Sequence, residues 1–236
     1  MTWALLLLSL VFILYWLFVY SEGAYLGKHA VIGLYDWAAS RYDRIKNIYP
    51  QDDAEHLALP LLENLSHVTE PLILDVATGT ARLPLALLRQ WHFHGRVIGL
   101  DLSRSMLGVA QKRIHNQSHR ASLIRQDAMV LPFPNQRFDA VTCLESLEFL
   151  PRPGDALREM VRVLRPGGQF LISNRVGVDA LFFPGRVHPT AALEQDLARL
   201  GLTEVQSRPW QVHYTLIDAR KPAPTATSAP SQNPDE

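Results

Sequence analysis

Through the middle of this chain short, apolar, β-branched runs alternate with longer amphipathic stretches, a pattern that few folds can satisfy. Candidate strands occupy residues 71–77, 96–102, 122–127, 139–145 and 169–174, with two more at 204–207 and 211–219. Helical patterns begin near Ala81, Arg104, Asp155 and Thr190. Strands separated by helical crossovers run parallel in one sheet, with helices covering both faces. The last two strands are separated only by Arg208, Pro209 and Trp210, and so short a turn joins antiparallel neighbours. The expected fold is α/β: a seven-stranded sheet, mostly parallel, closed by an antiparallel C-terminal hairpin.

The 236 residues, 47% of them apolar, supply one sizeable core and little for a second. Both ends differ from the middle. Residues 3–20 carry no charge and almost nothing polar beyond Ser9; as a helix they reach about 27 Å, close to one hydrocarbon core. A cleaved signal peptide is one alternative, but only the chain amine precedes the run, and Ser21, Glu22, Gly23, Ala24 and Tyr25 offer no clear cleavage site. A buried core helix is another, disfavoured because Tyr15, Trp16 and Tyr20 gather toward one end, as interfacial aromatics do. The expectation is an uncleaved transmembrane anchor over residues 1–24, then one catalytic-size domain over 25–220. Lys28, Arg41, Arg44 and Lys46 follow the span and place that domain on the cytoplasmic side. Residues 221–236, with Pro222, Pro224, Pro230 and Pro234 among small and polar residues, read as a disordered tail.

Charge and cysteine content narrow the function classes. Basic and acidic residues balance at 23 each, so the basic excess that neutralises nucleic-acid phosphates is missing and no nucleic-acid partner is expected. The single cysteine, Cys143, rules out an internal disulfide framework and a multi-thiolate zinc site. No metal is expected, since none of the nine histidines forms a metal-hydrolase helix motif.

In an open α/β sheet, ligands bind beyond the carboxyl ends of the strands. At the first strand end stand Asp75, Val76, Ala77, Thr78, Gly79, Thr80 and Ala81, an acid followed by a small-residue turn that lets a ligand approach the backbone. The second strand ends at Asp101, at the spacing from the glycine turn where a carboxylate accepts ribose hydroxyls. The third ends in Gln126, Asp127 and Ala128, where the acid can accept from an adenine amino group. A nicotinamide domain would instead show a glycine directly after the strand, and an acid such as Asp75 would repel a pyrophosphate while attracting a sulfonium or an ammonium.

Together these residues resemble the class I S-adenosylmethionine-dependent methyltransferases, from about Tyr35 to about Lys221. Asp75 to Ala81 looks like the family's acid-x-Gly-x-Gly-x-Gly loop, with alanine at the first and third glycine positions. Asp101, Leu102 and Ser103 with Ser105, Met106 and Leu107 is similar to its second-strand motif, and Gln126, Asp127, Ala128 to its third. Leu164, Arg165, Pro166, Gly167, Gly168 matches its turn into strand five. The loop and the upstream Tyr35-Asp36 and Tyr42-Asp43 pairs look most like the ubiquinone/menaquinone C-methyltransferases and the bacterial phosphatidylethanolamine N-methyltransferases. Glu145, Ser146, Leu147, Glu148 and Phe149 stand where the quinone enzymes have a basic, Asn-containing segment.

The resemblance implies a Rossmann-like fold and S-adenosylmethionine as cofactor. It implies a cofactor-binding set of Asp75, Ala77, Thr78, Gly79, Asp101, Leu102, Met106, Asp127 and Ala128. Methyl transfer chiefly requires alignment of donor and acceptor; where a proton must leave, Glu145, Glu148 and His188 are the candidates. Glu148 paired with Arg152 or Arg158, and His188 as a plain loop residue before Pro189, are the alternatives. Tyr35 and Tyr42, seven apart on a helix expected after Gly33, either close over the cofactor or pack on the sheet. Leu181, Phe182, Phe183 and Pro184 form an apolar group at the active-site edge that either admits a lipid or covers the core. An anchor raises the effective concentration of lipid-dissolved acceptors, so the expected partner is a lipid or small hydrophobic molecule, a quinone precursor or phospholipid headgroup. A non-catalytic scaffold at the membrane and a nicotinamide oxidoreductase are the rival readings.

Overall fold

The computed structural model describes residues 2–46 and 49–223; most of the expected tail, residues 224–236, lies outside them. Helix α1, Thr2–Tyr15, continues through a wider turn, Trp16–Tyr20, to make one 19-residue helical stretch of mean hydropathy 2.3. None of it is buried, and by length and composition it can cross a membrane. Among the described residues four further α-helices precede the sheet: α2 (Lys28–Ala38), α3 (Tyr42–Ile45), α4 (Pro50–Asp53) and α5 (Leu59–Asn64).

Then strands and helices alternate as the pattern requires: β1 (Leu72–Val76), α6 (Arg82–Leu88), β2 (Arg96–Asp101), α7 (Arg104–Ile114), β3 (Ala121–Arg125), β4 (Phe138–Cys143), α8 (Pro153–Val163), β5 (Leu164–Arg175), α9 (Thr190–Arg199), β6 (Thr203–Trp210) and β7 (Tyr214–Arg220). They form one sheet in the order β3-β2-β1-β4-β5-β7-β6. β1 to β5 are parallel, while β7 pairs antiparallel with both β5 and β6. The chain moves outward through β1, β2 and β3, then returns beside β1 with β4, leaving a crevice at that reversal of strand order.

Successive strand residues point to opposite faces, which divides the core in two. Ile73, Val97, Ala140 and Leu171 pack toward α5, α6 and α7. Leu74, Leu100, Val141 and Ile172 pack toward α8 and α9. The central strands β1 and β4 are buried almost throughout because both of their faces are covered, whereas the edge strand β3 is largely open.

Two local readings differ from the sequence expectation. Arg208, Pro209 and Trp210 are not the hairpin turn; they lie in β6, paired with Leu216, Thr215 and Tyr214, and residues 211–213 turn instead. Pro209 is tolerated because β6 is an edge strand, where a missing N–H breaks no ladder. Trp210 is buried against Tyr214 and the Arg82 guanidinium, a burial that draws the strand past the proline. The Leu164, Arg165, Pro166, Gly167, Gly168 segment is likewise the irregular start of β5, with a register shift between Phe138 and Ala140 of its partner. A Cβ on Gly168 would lie 2.7 Å from Leu164 Cδ1 and 2.9 Å from the Asp139 carbonyl oxygen, so only glycine fits there.

Candidate active site

The strand-end loops and the N-terminal cover enclose one cavity. Its floor is Ala77, Gly79, Leu100, Asp101 and Leu102; Gln126, Asp127 and Ala128 close one end, and Leu144, Glu145 and Ser146 the other. Lys28, Val31, Ile32, Tyr35 and Tyr42 roof it. A smaller recess containing Asp75, Thr78, Thr80 and Arg82 adjoins it through Tyr42, Ala77, Gly79, Leu144 and Glu145.

The β1 loop keeps a glycine-like path even where glycine is absent. Ala77, Gly79 and Ala81 all have positive φ, at 56°, 54° and 64°. For the two alanines this left-handed conformation costs about 1 kcal/mol each. Gly79 has open space where a Cβ would point, which leaves its backbone approachable. Its N–H donates to Asp101 Oδ2 at 2.8 Å, and the Ser103 N–H donates to Asp101 Oδ1 at 2.8 Å. Burial raises the Asp101 carboxyl above its ordinary value, against the lowering effect of these N–H groups. A carboxylate has about four lone-pair sites, so two bonds orient Asp101 and leave capacity for hydroxyls.

Asp75 differs from its expected role facing a cation. It is buried and absent from the main cavity's lining, with one oxygen accepting from Thr78 Oγ1 at 2.6 Å and the other from Thr142 Oγ1 at 2.7 Å. Burial pushes its carboxyl up to about 6 despite those bonds. It braces the loop and lies almost entirely beneath the recess. Asp127 does reach the main cavity, where Lys28 Nζ approaches its Oδ2 at 3.5 Å across the mouth.

The catalytic candidates separate. Glu145 lines the cavity with positive φ, 49°, and its Oε1 accepts from Arg82 Nη1 at 2.5 Å. Arg82 also binds Asp53 at 2.6 Å. Burial would lower the Arg82 pKa, yet the two carboxylates hold it raised. Glu148 does not line the cavity, and neither Arg152 nor Arg158 is its partner. It is buried with Arg175, whose Nε donates to Glu148 Oε1 at 2.7 Å, while the Tyr214 phenol donates to the same oxygen at 2.8 Å. His188 also lies elsewhere, beside Arg158, Arg186 and Asn174 in a separate recess. There its carbonyl accepts from Asn174 Nδ2 at 3.0 Å, which holds the far end of the loop after β5 in that recess. Met106 is fully buried under α7 and is likewise absent from the lining, where Leu102 and Ser103 take that side. The capping geometry explains this: Ser103 Oγ accepts the Met106 N–H at 3.1 Å, fixing the first turn with Met106 toward the sheet.

The cover was only partly legible. Its helix begins at Lys28, ahead of the expected start after Gly33, and ends before Tyr42, which opens α3. Tyr35 and Tyr42 nevertheless meet, their ring centroids 5.8 Å apart. The two Tyr-Asp pairs act alike: each tyrosine faces the cavity, and each aspartate ties the cover to a strand-end loop. Asp36 Oδ1 accepts from Ser103 Oγ at 2.5 Å and from the Ser105 N–H at 2.9 Å. Burial works against its charge, but these bonds hold the Asp36 carboxyl below its ordinary value. Asp43 accepts from Thr80 Oγ1 at 2.6 Å and pairs with Arg113. The roles of Asp36, Asp43 and Arg82 escaped the sequence reading because each partner lies tens of residues away.

The cavity fits an S-adenosylmethionine-like molecule: an approachable Gly79 backbone, an oriented carboxylate at Asp101, an apolar slot ending at Asp127 and Ala128, and aromatic rings at Tyr35 and Tyr42 that attract cations. Among the described residues no cluster could hold a metal ion.

Comparison with known proteins points the same way. Residues 73–168 match the family model described as a methyltransferase domain. The chain is 37% identical over 145 residues to the demethylmenaquinone methyltransferase of Lactiplantibacillus plantarum, a match spanning 61% of this chain and 61% of that relative. A SAM-dependent methyltransferase structure from Aquifex aeolicus, 18% identical, covers 74% of this chain and 99% of its own with a TM-score of 0.55. The cyclase SpnF, 20% identical, covers 71% and 80% with a TM-score of 0.60. At such identities the structures share the fold alone, and the cyclase among them shows that this fold hosts more than one reaction.

Proposed function

We propose that this chain carries a class I S-adenosylmethionine-dependent methyltransferase domain of the menaquinone-enzyme type and methylates a hydrophobic acceptor at a membrane surface. One observation carries the reading: the cavity joining Gly79, Asp101 and Asp127 shares a wall with the base of the apolar N-terminal helix. Val31, Tyr35 and Phe149 line the cavity, and the same three belong to the apolar cluster of Ala24, Tyr25, Phe182 and Phe183 at the foot of that helix. In this reading residues 2–20 anchor the chain, and the domain faces the cytoplasm.

Bound in the cavity, S-adenosylmethionine supplies a methyl group on a sulfonium that is already a good leaving group. The residues need chiefly to orient and to exclude water. Asp101 would receive the ribose hydroxyls, Asp127 and Ala128 the adenine, and Ala77 with Gly79 the amino-acid end, closed by Tyr35 and Tyr42. Glu145 is the one acid of the three catalytic candidates that reaches this space, and its pairing with Arg82 suits it to orienting an acceptor hydroxyl. Proton removal by Glu145 would first have to weaken that pair. A quinone precursor is the favoured acceptor because the similar curated relative is a demethylmenaquinone methyltransferase.

The test uses the full chain in phospholipid vesicles with methyl-labelled donor. Label is expected in the lipid-extractable fraction, and Asp101→Ala is expected to abolish both donor binding by calorimetry and transfer. Donor binding without transfer to any lipid-dispersed quinone precursor or phospholipid would refute the enzymatic reading and favour the scaffold.

A further inference from the structure

The segment after β5 is not absorbed by the proposed chemistry, and its geometry is unusual. Residues Gly177–Phe182 form a short helical turn at the carboxyl edge of the sheet. Two large apolar side chains on it face solvent, Val178 at 70% and Leu181 at 76% exposure. The same turn grips the N-terminal helix. Tyr20 and Phe182 stack with centroids 4.3 Å apart and planes 13° from parallel. Trp16 Nε1 donates to the Phe182 carbonyl at 3.2 Å. Behind it, Tyr25 stacks on Trp16 at 4.9 Å and its hydroxyl donates to the Pro184 carbonyl at 2.9 Å. Arg186 closes the unit by donating to the Ala24 carbonyl at 2.6 Å.

Trp16 and Tyr20 end an apolar span, and aromatic residues at that place sit at the headgroup level. Whatever stacks on them sits at the same depth. We infer that the Gly177–Phe182 turn is a second membrane contact, with Val178 and Leu181 entering the lipid surface beside the helix. A side chain held there penetrates roughly 5–10 Å into the headgroup–acyl boundary. This contact rests on the reading of residues 2–20 as a membrane span. It adds a fixed orientation: one tether leaves the domain free to swivel, whereas a tether plus an adjoining contact holds the cavity beside Phe149 and Tyr35 against the lipid from which an acceptor would enter.

The lone cysteine makes the test selective. Cys143 is fully buried and burial pushes its thiol up to about 12, so an introduced surface cysteine is the only reactive one. Full-length chains carrying Leu181→Cys, Leu8→Cys or Trp91→Cys are labelled with an environment-sensitive fluorophore and reconstituted in phosphatidylcholine–phosphatidylglycerol vesicles containing nitroxide lipids. Trp91, 89% exposed in the loop before β2, reports the opposite edge of the sheet. The Leu181→Cys label is expected to shift blue and be quenched by shallow nitroxides, the Leu8→Cys label by deep ones, and the Trp91→Cys label by neither. Quenching at Leu8→Cys with an aqueous signal at Leu181→Cys overturns the inference and leaves the anchor standing. An aqueous signal at both overturns the anchor and the contact together. A blue shift at Leu181→Cys that appears without vesicles and grows with protein concentration means a second copy covers the patch, and also overturns it.

Discussion

Replacing Asp36 tests whether the cover is latched in the way its bonds imply. In Asp36→Ala two hydrogen bonds to a carboxylate are lost, from Ser103 Oγ at 2.5 Å and from the Ser105 N–H at 2.9 Å. A hydrogen bond to a charged group contributes about 1.5–3 kcal/mol. The site is only half-buried, so water takes over part of each bond, and the net loss is about 2 kcal/mol for the pair. Ser103 keeps its capping bond to Met106, so α7 itself persists. If cover closure is coupled to donor binding, about 2 kcal/mol weakens affinity roughly 30-fold. Asp36→Asn retains a neutral acceptor worth about 1 kcal/mol and should lose only about fivefold. The sign with pH follows from the lowered Asp36 pKa: the latch is complete above the ordinary carboxylate range and is lost as pH falls through the folded value. Calorimetric titration with S-adenosylhomocysteine, alongside thermal unfolding, measures both effects. Equal affinity in wild type and Asp36→Ala, with unchanged unfolding, would show that the cover closes without this latch.

Three further outcomes are expected. Arg175→Met strands the buried Glu148 carboxylate without its cation and should cost about 3–5 kcal/mol, read as a lower denaturant midpoint; the paired replacement of Glu148 and Arg175 by apolar residues should recover part of it. Because Asp75 rises from 3.8 to about 6 on folding, the native state binds a proton that the unfolded chain has released. Stability should fall by about 3 kcal/mol as pH climbs from about 4 to about 6, and Asp75→Asn should remove that slope in denaturant titrations. Ala77→Gly relieves a φ of 56° and should stabilise by about 1 kcal/mol, raising Tm by about 2–4 °C in thermal scans; a lower Tm would mean that the alanine methyl packs well enough to outweigh its backbone strain.

What the chain alone determined was set by local periodicity. Apolar runs of strand length separated by amphipathic stretches dictate a parallel sheet covered on both sides, whatever the partners of each side chain. The carboxyl ends of β1, β2 and β3, at or within a residue of Asp75, Asp101 and Gln126, were therefore visible, and with them the edge where a ligand binds. Residues 3–20 announced a membrane-length helix for the same reason, because length and hydropathy are properties of a segment by itself.

Tertiary structure decided everything that depends on distance between segments. Pro209 reads as a turn until the sheet order makes β6 an edge and Trp210 finds a buried place beside Arg82. Asp75 reads as a cation site until folding buries it beneath the loop, out of the main cavity and bonded to Thr142 on the neighbouring strand. Glu148 and His188 follow the cavity-facing strands in sequence, yet a buried cation at Arg175 captures one and a bond to Asn174 holds the other in a separate recess. Conversely, the latches at Asp36 and Asp43 and the stacking of Phe182 on Tyr20 join residues 37 to 162 positions apart. A side chain's role is fixed by the charges and surfaces that folding brings within a few ångströms, and no local pattern specifies those.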